Sequence, residues 1–233
     1  MVVNVARQAR ETAREDVRRQ ILAHARGQLA VAGPGELSLR AIARDLGMVP
    51  SGIYRYLANR DELITALLVE VYNELGDVLE AADAAVERRS AYTARFEALS
   101  NALRDWAVAH PFDWALLYGS PVPGYSAPQD TVPPAARTTG AFTAVLVDAT
   151  LDGAVPAAVE ALPPEATASV SALLERLPAP VDAGLMLRGT VAWSGVMGAI
   201  SLELFGHLKG AVVDSAAWFA AVVQQQAGLL GLP

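Results

Sequence analysis

Residues 38–63, SLRAIARDLGMVPSGIYRYLANRDEL, gather side chains suited to a phosphate backbone and to base edges. Ser38, Ser51 and Tyr54 offer hydroxyls, Arg40, Arg55 and Arg60 offer guanidinium donors, and Pro50 offers a small rigid apolar face. On an α-helix, at about 100° per residue, Ser51 and Arg55 fall opposite Ile53 and Leu57, and Pro50 and Tyr54 are read with them as the exposed set. A phenol can bond a phosphate, Ser51 and Arg55 can reach phosphates or base edges, and Pro50 can pack on a thymine methyl. Ser38 and Arg60 stand at two helix N-termini, where free backbone N–H groups also favour phosphate. The competing reading is structural: Tyr54 and Tyr56 as packing aromatics, and Arg40, Arg44 and Arg55 as solvating charge.

The elements that must hold these residues are legible from caps and periodicity. Thr12 to Glu15 has capping-box spacing, and Val17, Ile21, Ala25 and Leu29 predict a helix over 13–32, stopped by Gly33-Pro34-Gly35. Ser38 is a suitable N-cap for a second helix with Leu39, Ile42, Ala43 and Leu46 on one face, and Gly47 ends it. Pro50 suits the first turn of a third helix. Asn59-Arg60-Asp61-Glu62 opens a long fourth helix reaching about residue 86. Two short helices around a glycine turn make a helix-turn-helix, whose second helix can enter the major groove.

Helical patterns continue over 90–109, 135–151, 164–177, 183–205 and 214–230, with no persistent strand alternation and no repeat. The expected fold is all-α: an N-terminal three-helix helix-turn-helix domain, residues 1–60, and a larger helical ligand-binding and dimerisation domain, residues 61–233. Residues 119–134 hold five prolines and two glycines, a loop long enough to be either functional or disordered.

Charge divides along the same line. Residues 1–60 carry ten arginines against five acids, a balance of +5; the rest carry eight basic and twenty acidic groups, a balance of −12, for −7 overall. A basic end on an acidic body points to one polyanion-binding face. The absence of cysteine excludes disulfides and thiolate metal sites and suits a reducing cytoplasm. His24, His110 and His207 have no metal-ligand spacing. No nucleophile elbow, P-loop, dinucleotide fingerprint or HExxH motif is present, so neither an enzyme, a cofactor nor a metal is expected. The charge-free run 189–202 is 14 residues, short of a membrane span.

The order of a helix, then GMVPSGIYRYL, then NRDEL resembles the DNA-binding domain of the TetR family of transcriptional repressors. The family's aromatic core corresponds to Ile53-Tyr54-Arg55-Tyr56-Leu57 and its basic residue at the next helix to Arg60. Val49 departs from the family's usual Ser or Thr, which caps the third helix and touches phosphate; Ser51 is the neighbouring hydroxyl able to substitute. HPFDWALLYGSPVPGY, Trp193, Gly198 and SLELFGH are similar to the family's WHG-type ligand-binding domain, with Met197 where that subgroup has His. The resemblance implies a double-stranded DNA operator, a small-molecule effector and a homodimer.

Trp106, His110, Phe112, Trp114, Leu117, Tyr118, Phe142, Trp193 and Met197 could line one apolar cavity for a mainly apolar effector, although each alone also suits core packing. Gly189, Gly195, Gly198 and Ser201 on one helix, with Ala217, Ala220, Ala221 and Leu229 on the last, could let two copies approach closely as a four-helix bundle. Packing within one subunit is the alternative for the glycines. Control by a protein partner, or an all-α enzyme with an incidental helix-turn-helix, are the competing functions.

Overall fold

A computed structural model describes residues 2–154 and 163–233. Among these it contains ten α-helices and no strand, in keeping with the all-α expectation. The first helix, α1 (Val2–Ala32), starts well before the expected residue 13. Thr12 is not a cap, because its hydroxyl donates to the Gln8 carbonyl at 3.0 Å inside the helix. No proline or glycine interrupts 7–26, and Arg7 pairs with Glu11 one turn on, so nothing in the chain stops helix there. Gly33, at φ +74°, closes α1 with its N–H on the Leu29 carbonyl.

The chain forms two compact units, Met1–Tyr72 with Pro111–Pro134, and Asn73–His110 with Ala135–Pro233. This division differs from a cut at residue 60. The first unit continues into α3 (Arg60–Ala84) and includes α5 (Pro111–Tyr118), because Leu63, Ile64, Leu67 and Leu116 are buried with Ile21, Leu29, Ile42, Ile53 and Leu57 in one core. Arg26 of α1 holds Asp113 of α5 with a guanidinium fork, Nε lying 3.3 and 3.2 Å from the two carboxylate oxygens. The proline-rich stretch is anchored here as well: Tyr125 packs against this core and its hydroxyl lies 2.9 Å from that of Thr65.

The second unit comprises the end of α3 with α4 (Tyr92–Ala109), α6 (Val132–Leu151), α7 (Pro164–Ala168), α8 (Ser171–Leu174), α9 (Ala183–Leu204) and α10 (Ser215–Leu230). The helix expected over 164–177 is two short helices. Asp182 and Asp214 cap α9 and α10, accepting the N–H groups of Leu185 and Ala217 at 2.9 and 3.0 Å. By length and composition α9 could cross a membrane; Leu185, Met186, Ala192, Val196, Ala199 and Ile200 are instead buried in this unit.

Arg95 is the unit's buried cation, its side chain 1% exposed. Its Nε reaches Asp83 at 2.7 Å, and Nη1 reaches Asp148 at 2.8 Å and the Arg89 carbonyl at 3.2 Å, joining the end of α3 to α4 and α6. Burial works against the Arg95 charge, but hydrogen bonds to the two carboxylates raise its pKa.

Candidate nucleic-acid interface and effector cavity

The helix-turn-helix is built by ordinary local rules. Ser38 caps α2 (Leu39–Asp45), its Oγ accepting from the Ala41 N–H at 3.3 Å, while its own N–H donates to Gln28 Oε1 at 3.1 Å. Gly47, at φ +65°, ends α2: its N–H meets the Arg44 carbonyl at 3.0 Å and the Met48 N–H meets the Ala43 carbonyl at 2.8 Å, a Schellman closure. Asn59 caps α3 through the Glu62 N–H at 2.9 Å, and Glu62 reaches back to the Ala58 N–H at 2.6 Å.

The third helix is a correction. Residues 50–57 form turns with a single 3₁₀ turn, Ile53–Arg55, rather than an α-helix opened by Pro50. Three bonds span three residues, from Gly52, Arg55 and Tyr56 to the carbonyls of Val49, Gly52 and Ile53. With Pro50 lacking an N–H and Gly52 costing backbone entropy, a stretch this short stays tightly wound. The division of faces survives. Ile53 and Leu57 are fully buried, whereas Arg40, Val49, Pro50, Ser51, Tyr54 and Arg55 are exposed.

Three proposed DNA contacts are placed differently from this exposed set. Ser38 is half-buried with its hydroxyl in the α2 cap. Tyr56 is half-buried against the first unit's core. Arg60 spends its Nη2 on the carbonyls of Pro34 and Gly35, at 2.7 and 3.0 Å, bracing the start of α3 to the turn after α1. Arg40 and Arg55, in contrast, have no side-chain ion pair or hydrogen bond among the described residues.

A cavity of about 480 Å³ opens in the second unit. Its walls include Phe96 of α4, Phe142 and Leu146 of α6, Leu173 of α8, Met186 and Trp193 of α9, and Leu230 of α10, with Arg176 and four hydroxyl side chains. Phe96 and Phe142 meet edge to face with centroids 5.7 Å apart. Of the nine residues read from the sequence as one lining, only Phe142 and Trp193 line this cavity. Trp106 is buried, donates to Glu74 at 3.1 Å and stacks on His110; Met197 is half-buried on α9. Phe112, Trp114, Leu117 and Tyr118 belong to the first unit. There Trp114 is fully buried beside Tyr118, Leu117 packs on the core, and Phe112 is 49% exposed. The missed lining residues carried a signal in the alternation of large and small groups on α6 and α9, where Gly140 and Gly189 also face the space.

The wall helix α6 is clasped to α3. Arg137, beside the lining residue Ala136, donates to Asn73 Oδ1 at 3.1 Å, Asp77 at 2.5 Å and Glu80 at 2.8 Å. The acids hold the guanidinium pKa well above its ordinary value.

The candidate dimer residues divide. Gly189 and Gly195 face inward: a Cβ at Gly189 would lie 2.5 Å from Leu146, and one at Gly195 2.6 Å from the Gln226 amide. They serve close packing within the subunit. Gly198 has nothing within 4 Å of an added Cβ, and Ser201 is half-exposed. Ala217, Ala220, Ala221 and Leu229 are exposed, as are Val191, Leu202 and Phe205.

A helix-turn-helix whose next helix continues into a larger all-helical body defines a class, the DNA-binding transcriptional regulator. Residues 21–67 match the family described as bacterial regulatory proteins, tetR family, and residues 96–226 match the tetracyclin repressor-like C-terminal domain. The HTH-type transcriptional regulator Rv1816 of Mycobacterium tuberculosis (strain ATCC 25618 / H37Rv) is 41% identical over 200 residues, 85% of each chain. The crystal structure of the regulatory protein SCO4313 is 38% identical, with a TM-score of 0.75 over 94% of this chain and 98% of that one. A protein from Rhodococcus sp. RHA1 is 27% identical, with a TM-score of 0.67 over 92% of this chain and 94% of that one. The chain belongs to the TetR family; it is a transcriptional regulator and not an enzyme.

Proposed function

We propose that the protein is a repressor that binds a palindromic operator as a homodimer in the cytoplasm and releases it when a small, mainly apolar effector enters the second unit's cavity. The observation that carries this reading is the clasp between α6, which walls the cavity, and α3, which begins at Arg60 beside the DNA-binding turn. An effector that binds one position of α6 more tightly than another biases the position of α3 through Arg137, and α3 is one continuous helix to Arg60. Ser51, Tyr54 and Arg55 read, Ser38, Arg40, Val49 and Pro50 line the contact, and Arg60 positions the unit. Gly198, Ser201, Ala217, Ala220, Ala221 and Leu229 lie on the self-association face, with Val191, Leu202 and Phe205.

Two measurements on the full chain test this. Oligonucleotide selection should return an inverted repeat whose half-sites lie about one helical turn, 34 Å, or more apart. Light scattering should report twice the 24.5 kDa of one chain. A non-palindromic site bound by a 24.5 kDa particle overturns the proposal.

A further inference from the structure

We infer that the cavity's effector is an amphipathic acid, an apolar body carrying one anionic head that Arg176 receives at the mouth. The inference rests on the cavity being the effector site and adds the effector's charge. Its walls are hydrocarbon and aromatic, among them Phe142, Leu146, Met186 and Trp193, and Arg176 is the one charged residue among the described lining residues. Arg176 is exposed and its guanidinium makes no ion pair or hydrogen bond among the described residues; Arg88 and Arg188 of the same unit are likewise without one, but only Arg176 lines the cavity.

The hydroxyls on the wall cannot replace it for an anion. Thr139, Thr143, Thr190 and Ser194 donate to the carbonyls of Ala136, Thr139, Leu187 and Thr190 of their own helices, at 3.3, 2.9, 2.8 and 2.7 Å. With those protons committed, they present lone pairs, which repel a carboxylate. The charged donor at the mouth is therefore Arg176, whose planar fork matches a carboxylate or other oxyanion. About 480 Å³ gives room for roughly 16 non-hydrogen atoms, if each takes the ~30 Å³ share of a liquid water molecule. That size fits a single chain or a small ring system with one head.

Calorimetric titration of the full-length protein with decanoate, decanol and decylamine, each about 12 non-hydrogen atoms and so within that room, tests the assignment. The wild type should bind decanoate at least about fivefold tighter than decanol, the size of a modest charge-assisted contact, and decylamine weakest. Arg176→Gln should reduce decanoate to the affinity of decanol and leave decanol unchanged. Gly140→Phe places a ring at a lining position where an added Cβ meets nothing within 4 Å, and should weaken both. If decanol equals decanoate in the wild type, or if the preference for decanoate survives Arg176→Gln, the anionic head is refuted while the cavity stands. If Gly140→Phe leaves the affinities unchanged, or no probe binds, the cavity reading itself fails and the head assignment with it.

Discussion

Replacing Arg95 with methionine removes the buried cation and keeps most of its volume. A buried ion-pair partner lost in isolation costs about 3–5 kcal/mol, because the remaining charge is stranded. Here the two stranded carboxylates differ. Asp148 is 44% exposed and regains water, whereas Asp83 is 16% exposed but keeps Arg89 as a partner. Both features pull the expected cost toward ~2–4 kcal/mol. For a chain of this size each kcal/mol moves the midpoint by about 2–4 °C, so the thermal transition should fall by roughly 5–15 °C. Urea denaturation followed by circular dichroism gives the same quantity from the midpoint at unchanged slope. Arg7→Ala is the internal control, since Arg7 and Glu11 are 79% and 61% exposed and their pair should be worth under about 0.5 kcal/mol. If Arg95→Met and Arg7→Ala shift the midpoint equally, the buried network does not hold α3, α4 and α6 together and the reasoning fails.

Acid should act on the same network. Burial alone would raise the Asp83 pKa, but the hydrogen bonds of Arg95 and Arg89 outweigh it and the net shift is downward from 3.8. A carboxylate with a depressed folded pKa contributes stability that is fully present above its unfolded value and is lost as pH falls through the folded one. The wild type should therefore lose stability below about pH 4 more steeply than Arg95→Met, as followed by urea midpoints across pH; parallel curves would refute the linkage. For Arg60→Ala, loss of the Pro34 and Gly35 carbonyl contacts should cost about 1 kcal/mol of stability and leave the salt slope of DNA binding nearly unchanged. Arg55→Ala should leave stability unchanged and either reduce that slope by about one or relax base preference. Anisotropy titrations at several salt concentrations separate the two, and a slope change of one for Arg60→Ala would return it to a phosphate contact.

The parts of this architecture written into short windows were legible. Leu39, Ile42 and Ala43 at helical spacing are buried on α2, Gly47 supplies the left-handed closure, and Asn59 caps α3 through Glu62. The turn at 50–57 was harder, because reading its faces from periodicity assumes an α winding, whereas the winding it adopts depends on Pro50 and Gly52 within very few residues. The cavity was harder still. WALLY on α5 announces burial without naming what it packs against, and its partner is settled by contacts such as Arg26 to Asp113, 87 residues apart. Apolar character alone therefore groups Trp114 and Tyr118 with Phe142 and Trp193, although the fold divides them between two units.

The charge division was read correctly as a total, and the side-chain partners give it a mechanism. In the acidic second unit Arg89, Arg95, Arg104 and Arg137 are consumed by Asp83, Asp148, Glu203, Asp77 and Glu80, while Arg88, Arg176 and Arg188 have no such partner among the described residues. In the first sixty residues Arg26 and Arg60 are likewise consumed, by Asp113 and by two carbonyls. Arg10, Arg18, Arg40 and Arg55 have no side-chain ion pair or hydrogen bond among the described residues. A guanidinium already neutralised by a carboxylate releases little counterion when it meets a phosphate, whereas an unneutralised one releases nearly a full equivalent. On this reasoning the affinity for DNA should track the arginines of the first sixty residues left without acids, so that the net charge of −7 is no obstacle to binding a polyanion.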